Sequence, residues 1–202
     1  MSASFWWVNH SQTARHEIEG SYLWFANKAR KSKARSESDK NIQRLLPGDV
    51  VYSFADGGIG AIGVVLASAR EAAKPLEFNS IAEYADTQKG WLVAARFMAL
   101  TNPLLTEAYG AELALVMPRK HPPILAGGVS NQHVVLASVP VMMATTLSRL
   151  LDGEVERIVE ATHRERDDAD DHEHRRQPVP HLAGGHEREV RLLVKKFHAS
   201  VP

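Results

Sequence analysis

The sequence predicts an α+β domain built around a small, strongly bent sheet or barrel. Three observations carry that prediction. Short β-branched and aromatic runs are spread over residues 5–139, one well-signalled hairpin surrounds Asp56-Gly57-Gly58, and helical periodicity is strongest after Pro140. The 202 residues, 44% hydrophobic and 24% charged, suit one globular domain plus an extension.

Phe5 to Asn9 is aromatic and β-branched and reads as a strand, with Phe5, Trp7 and Asn9 on one face and Trp6 and Val8 on the other. A polar interval follows, and Ser21-Tyr22-Leu23-Trp24-Phe25 returns to strand character before a basic stretch opens at Lys28. Ser38 is placed to cap a short helix with Ile42, Leu45 and Leu46 on one face, ended by Pro47-Gly48. Val50 to Phe54 and Ile59 to Ala69 read as antiparallel strands, with Gly60 and Gly63 marking a bulge or a close backbone approach. Ser80 is placed to cap one helical turn, and Trp91 to Leu100 reads as a strand after Gly90. Pro103 to Leu115 suits one or two helical turns, and Pro118 to Pro123 is turn-rich. After the polar loop 126–132 and the apolar run His133 to Val139, Pro140 opens a helix whose face is Met143, Leu147, Leu150 and Leu151. Asp152-Gly153 interrupts it, and Glu154 to Thr162 continues with Val155, Ile158 and Val159 inward. Residues 163–187 combine charge, His, Pro and Gly with few large apolar groups, the composition of a linker. The division expected is therefore a domain over 1–160 and, over 161–202, a charged linker with a short basic helix at Glu189 to Phe197.

Composition excludes several functions. The chain contains no Cys, which removes disulfides, thiol catalysis, Cys-ligated zinc and iron–sulfur clusters together and suits a reducing compartment. The longest nearly apolar run, Val134 to Leu147, falls short of the ~20 residues that span a bilayer. The N-terminus lacks the basic and leucine-rich regions of a signal peptide, so a cytoplasmic protein without membrane contact is expected. Charge balances at 24 Lys+Arg against 24 Asp+Glu, yet Lys28, Arg30, Lys31, Lys33, Arg35, Lys40 and Arg44 crowd one segment. Such a cluster can contact phosphates whatever the overall charge, because screening acts over about 10 Å.

Five motifs then fall in a fixed order: Phe5-Trp6-Trp7-Val8-Asn9, Tyr22-Leu23-Trp24, Leu46-Pro47-Gly48-Asp49-Val50-Val51, Gly90-Trp91-Leu92-Val93 and Gly127-Gly128-Val129-Ser130-Asn131-Gln132. In that order they resemble the EVE branch of the PUA-like superfamily, which also contains the YTH readers. The resemblance covers roughly residues 4–157 and is strongest to EVE-like domains at the N-terminus of bacterial HNH-type, modification-dependent endonucleases. It implies a PUA-like pseudo-barrel with an aromatic-walled pocket for a modified base flipped out of double-stranded DNA. Trp24 matches in position the tryptophan of the YTH-like cage.

A flipped base needs stacking walls, polar groups for its edge and cations for its backbone. Trp24 and Trp91 are the candidate walls; Asn9, Ser53, Asn131 and Gln132 are the candidate edge readers, since amides offer donors and acceptors. Lys28, Arg30, Lys31, Lys33 and Arg35, with Arg119 and Lys120 as a second group, are the candidate phosphate contacts. Gly127 and Gly128 would allow close backbone approach, and Trp7 is assigned to the core.

No catalytic residue, metal or cofactor is expected. The glycines at 57, 58, 60 and 63 precede a strand rather than a helix, so they form no dinucleotide signature, and the histidines at 163, 172, 174, 181 and 186 lack metal-ligand spacing. In the families resembled an HNH nuclease follows the reader, and no complete nuclease motif occurs before Pro202. The expected function is the specificity module of a modification-dependent restriction system, recognising 5-methylcytosine, 5-hydroxymethylcytosine or a related base, with a nuclease module or subunit as partner. The alternatives are a reader of modified RNA and a small-molecule-binding EVE domain.

Overall fold

A computed structural model describes residues 3–27 and 37–176. β1 (Phe5–Asn9) buries both its faces: Trp7 enters one apolar cluster, Trp6 and Val8 another. It lies parallel to β3 (Val50–Ala55) and antiparallel to β7 (Leu136–Val139). β3 turns through Asp56-Gly57 into β4 (Gly58–Val65), the hairpin that the glycines predict. β6 (Lys89–Leu105) is long enough to serve several partners. Its residues 95–105 pair with β4, and residues 89–92 with β5 (Arg70–Ala73); the opposite edge pairs with β2 (Tyr22–Ala26). The order along the sheet is β2-β6-β4-β3-β1-β7, which leaves β2 and β7 as its outer strands.

The curl has a local cause. β4 shifts register at Gly60 against both neighbours, an extra residue that bends the strand. At Gly63 a Cβ would lie 2.5 Å from the Phe97 ring, so glycine lets that ring rest on the strand. Inside the curl Trp6, Val8, Leu23, Val51, Val93 and Leu136 pack together with Ile42 and Leu45. The other face, with Trp7 and Tyr52, is covered by α3 (Gly110–Val116), α4 (Val141–Leu150) and α5 (Glu154–Arg176) through Leu113, Met143, Leu147, Val155 and Ile158. The helical periodicity after Pro140 thus finds the partner it requires. Asp152 (φ 50°) and Gly153 (φ 68°) break α4 from α5 in the left-handed region.

The Leu46-Pro47-Gly48-Asp49 motif has a structural use. The buried Asp49 carboxylate accepts from Ser4 N (2.9 Å), Trp6 Nε1 (2.9 Å) and Leu46 N (3.0 Å), which pins the start of β1 beside β3.

Several elements differ from the sequence reading. The polar interval contains α1 (Ala14–Gly20), whose one fully buried side chain is Glu17, so it lacks an apolar stripe. Ser38 lies within α2 (Glu37–Asn41) and its Oγ accepts from Leu136 N at 3.2 Å; Leu46 is exposed. Ser80 ends a 3-10 turn (Leu76–Ser80) instead of capping one, and Pro140 sits just before α4. β6 runs on to Leu105, claiming residues read as helical, because its far end pairs with Gly58 and Ile59. Residues 163–176, read as linker, continue α5. The spacings Glu160 to Arg164, His163 to Asp167 and Arg164 to Asp168 supply the four-residue offsets that support a polar helix. The chain divides into two units, 1–164 and 165–202, and the elements other than the end of α5 belong to the first. The segment 28–36 and the expected helix at Glu189 to Phe197 lie outside the described residues.

Candidate functional site

The two outer strands of the curled sheet are capped by side chains. On β2, Trp24 N donates to Glu17 Oε1 at 2.7 Å. On β7, Leu136 N donates to Ser38 Oγ and Leu136 O accepts from Asn41 Nδ2 at 3.1 Å. α1 and α2 therefore satisfy backbone groups that an open edge would leave unpaired. The segment 28–36 connects these caps, leaving just after β2 and returning at Glu37. Its candidate contacts Lys28, Arg30, Lys31, Lys33 and Arg35 lie outside the described residues, but both of its attachment points are fixed.

Beneath α1 lies a buried polar chain. Ser53 Oγ is 2.7 Å from His10 Nδ1, and His10 Nε2 is 3.6 Å from Glu17 Oε2. Thr13 Oγ1 stands 2.7 Å from the His10 carbonyl and 2.5 Å from Glu17 Oε2. A hydroxyl has one proton and cannot donate to both oxygens at once. The carbonyl accepts only, so the Glu17 carboxyl is the second donor and is protonated. Burial acts in the same sense, raising Glu17 to about 8 against the opposing hydrogen bonds from Thr13 and Trp24, and lowering His10 to about 3. At neutral pH the pair holds one proton and no net charge.

Ser, His and Glu in series resemble a nucleophile, a base and its orienting acid, but Ser53 is 2% exposed and His10 3%. The His10–Glu17 separation also exceeds a hydrogen bond. No substrate reaches this serine in the described structure, and the chain acts as the polar seal between β1, β3 and α1. Ser53 is thereby removed from the base-reading set, because its hydroxyl is committed to His10.

The end of β1 is more open. Half-buried Asn9 donates Nδ2 to Ser130 Oγ at 2.5 Å. Next to Ser130, Asn131 is spent on its own loop: Nδ2 donates to Pro122 O (2.9 Å), N to Pro123 O (3.0 Å), and Oδ1 accepts from His133 N (3.2 Å). Asn131 is thus a loop clamp and a poor edge reader, while Gln132 beside it is exposed. The clamp has a second effect. It ties the turn bearing exposed Arg119 and Lys120 to the loop that touches Asn9. Gly128 (φ 83°) serves packing: a Cβ there would lie 2.3 Å from Thr106 O, and Thr106 Oγ1 donates to Gly128 O at 2.6 Å. This close approach is to the chain's own backbone.

Trp24 and Trp91 cannot wall one pocket. The antiparallel register pairs Trp24 with Leu92 and Phe25 with Trp91, so the two indoles project from opposite faces of β2 and β6. Trp91 packs half-buried against the cluster inside the curl. Trp24 is buried on the other face with Phe78 and half-buried Tyr84, and Phe78 and Tyr84 occupy the space that a stacked base would need. Its Cε2–Cζ2 edge lies over Gly90, where a Cβ would come within 2.6 Å. The Gly90-Trp91 motif is thus set in part by room for Trp24.

His10, Glu17, Phe78, Tyr84 and Ser130 escaped the sequence reading. A lone Phe and Tyr in the polar stretch 75–88 were the one available signal for the aromatic cluster; nothing local marks Glu17 as buried. Among the described residues, no group of three or more His, Asp or Glu side chains is placed to hold a metal ion. No helix among them is long and apolar enough to cross a membrane.

Comparison with protein-family models gives no match, and comparison with curated proteins gives none. Among solved structures, the chain is similar to Rpa0253 of Rhodopseudomonas palustris, determined by NMR, at 14% identity and TM-score 0.44 over 73% of this chain and 92% of that one. A Pseudomonas putida protein solved by X-ray crystallography matches at 12% identity and TM-score 0.47, over 73% of this chain and 99% of that one. PSPTO5229 of Pseudomonas syringae matches at 12% identity and TM-score 0.43 with the same two coverages. The class established by the coordinates is a mixed α+β domain on a curled, half-barrel sheet.

Proposed function

We propose that this chain, on a pseudo-barrel of the PUA-like EVE kind, binds double-stranded DNA containing a modified base and serves as the specificity module of a modification-dependent restriction system. A modified cytosine is the base proposed, flipped from the duplex, and a nuclease module or subunit is the proposed partner. One observation carries the reading. Asn9, Ser130, Gln132 and the turn with Arg119 and Lys120 gather at the end of β1, and β7 beside them is held by α2, to which the Lys28–Arg35 segment returns. Cations would hold the phosphates while Asn9 and Gln132 meet the displaced base or its neighbours.

The test is competition binding at two salt concentrations with matched duplexes carrying plain cytosine, 5-methylcytosine, 5-hydroxymethylcytosine, glucosylated cytosine or N6-methyladenine, and a modified single-stranded RNA. Preference for one modified duplex, weakening steeply with salt, is the expected result. Binding of the RNA with no preference for modified DNA replaces this reading by an RNA reader. Salt-independent binding, or none, removes nucleic acid altogether.

A further inference from the structure

Trp24, Phe78 and Tyr84 form a separate aromatic cluster over β2 and β6. Phe78 and Tyr84 are stacked, with centroids 5.4 Å apart and planes 25° apart. Trp24 meets both edge-on, at 5.6 Å and angles of 82° and 79°. Phe78 is wholly buried although it comes from a polar 3-10 turn, Leu76–Ser80, in which Leu76 is 82% exposed. Trp24 Nε1 is buried beside this ring without a hydrogen-bond partner among the described residues. A buried donor facing only hydrocarbon is unfavourable, and such an orphan calls for an explanation.

The turn is lightly held. Its backbone bonds, Phe78 N to Pro75 O and Ile81 N to Phe78 O, are local. Its one printed polar tie to the sheet is Tyr22 OH donating to Glu77 Oε1 at 2.7 Å, on the surface. Tyr84 belongs to the next turn, Ala82–Tyr84, whose Tyr84 O accepts from Lys74 Nζ. Phe78 can therefore leave while Tyr84 stays.

Resting on the base-reading proposal above, we infer that Phe78 is a placeholder and that its space takes a single-ring base, a 5-substituted pyrimidine, when the Leu76–Ser80 turn swings out. A benzyl group and a methylated pyrimidine are alike in size, one six-membered ring with one further carbon. A purine adds a second ring, and the cluster has no slack for it where Trp24 already lies against Gly90. The incoming ring stacks on Tyr84 and lies edge-on to Trp24. Its O2 or N3 supplies the acceptor for Trp24 Nε1 that Phe78 lacks. Tyr84 is then the stacking wall, with Trp24 as the donor that recognises a base over a hydrocarbon.

The test is 19F NMR of protein labelled with 5-fluorotryptophan, the Trp24 line assigned with Trp24→Phe, titrated with duplexes carrying one 5-methylcytosine, one 5-hydroxymethylcytosine or one N6-methyladenine. The pyrimidine duplexes should move the Trp24 line. Tyr22→Phe, which cuts the surface tie and leaves the core intact, should raise their affinity about two- to tenfold, and Phe78→Ala should raise it further. Tyr22→Phe carries the test if Phe78→Ala fails to fold. Binding with an unmoved Trp24 line, or affinity that neither variant raises, overturns the placeholder and leaves the base reader standing. A preference for N6-methyladenine overturns the single-ring assignment alone. Absence of binding by all three duplexes, with the Trp24 line unmoved in both variants, overturns both proposals.

Discussion

The buried His10–Glu17 pair sets a pH profile for stability that can be worked out in advance. The folded pair holds one proton between about pH 3, where His10 gains a second, and about pH 8, where Glu17 loses the first. Unfolded, the two groups hold two protons below 4.5, one between 4.5 and 6.5, and none above 6.5, their ordinary values. Stability rises with pH where the unfolded chain binds more protons and falls where it binds fewer. His10, with its lowered value, contributes stability present above 6.5 and lost as pH falls to 3; Glu17, with its raised value, contributes stability present below 4.5 and lost as pH rises to 8. The two slopes cancel between 4.5 and 6.5, which gives a plateau with a fall on each side. At about 1.4 kcal/mol per pH unit, the alkaline fall from 6.5 to 8 amounts to about 2 kcal/mol. With an m-value of about 2 kcal/mol/M, the urea midpoint should drop by about 1 M over that interval. Glu17→Gln keeps an acceptor for Trp24 N but has no proton to lose, so its profile should rise to pH 6.5 and then stay level. Subtracting the two profiles cancels the other histidines, and the difference should change by about 5 kcal/mol between pH 4.5 and 8. Parallel profiles for the two proteins would refute the assignment of a neutral Glu17.

Trp24→Ala should cost about 3–5 kcal/mol of stability, read as a lowered denaturation midpoint, because it empties a buried cluster. Any effect of that variant on DNA binding must therefore be measured well below its melting temperature. Gly90→Ala should destabilise by about 1–3 kcal/mol, since its Cβ would lie 2.3 Å from Phe25 O and 2.6 Å from Trp24; a midpoint within error of the parent would contradict the packing described. Lys31→Ala and Lys33→Ala should weaken plain and modified duplexes equally and lower the salt slope by about one each. An unchanged slope counts against phosphate contact by that residue.

Much of the fold was legible because it rests on short-range patterns. The alternation of Phe5 to Asn9 marks a strand buried on both sides, and Trp6 and Trp7 do enter different clusters. Asp56-Gly57 marks the hairpin, and Met143, Leu147 and Leu151 mark the covering helix at helical spacing. Gly60 marks the bulge. α1 was missed because its buried residue is a carboxylic acid, and burial of Glu17 depends on Thr13 and Trp24 being brought to it from either side.

The candidate site was less legible. Sequence places aromatic, amide and basic groups in one chain but not on one face. By itself it determined the residue inventory: no thiol, no long apolar span, a basic run beside an aromatic strand, and alternations that demand a two-faced sheet. Only tertiary structure decided which groups meet. The β2–β6 register sends Trp24 and Trp91 to opposite faces, the Asn131 clamp consumes an amide that sequence leaves open, and Ser53 is bound to a histidine not singled out. The physical reason is common to all three. A side chain's chemistry is local, but the partner that satisfies or exposes it arrives through strand pairing between residues far apart in the chain.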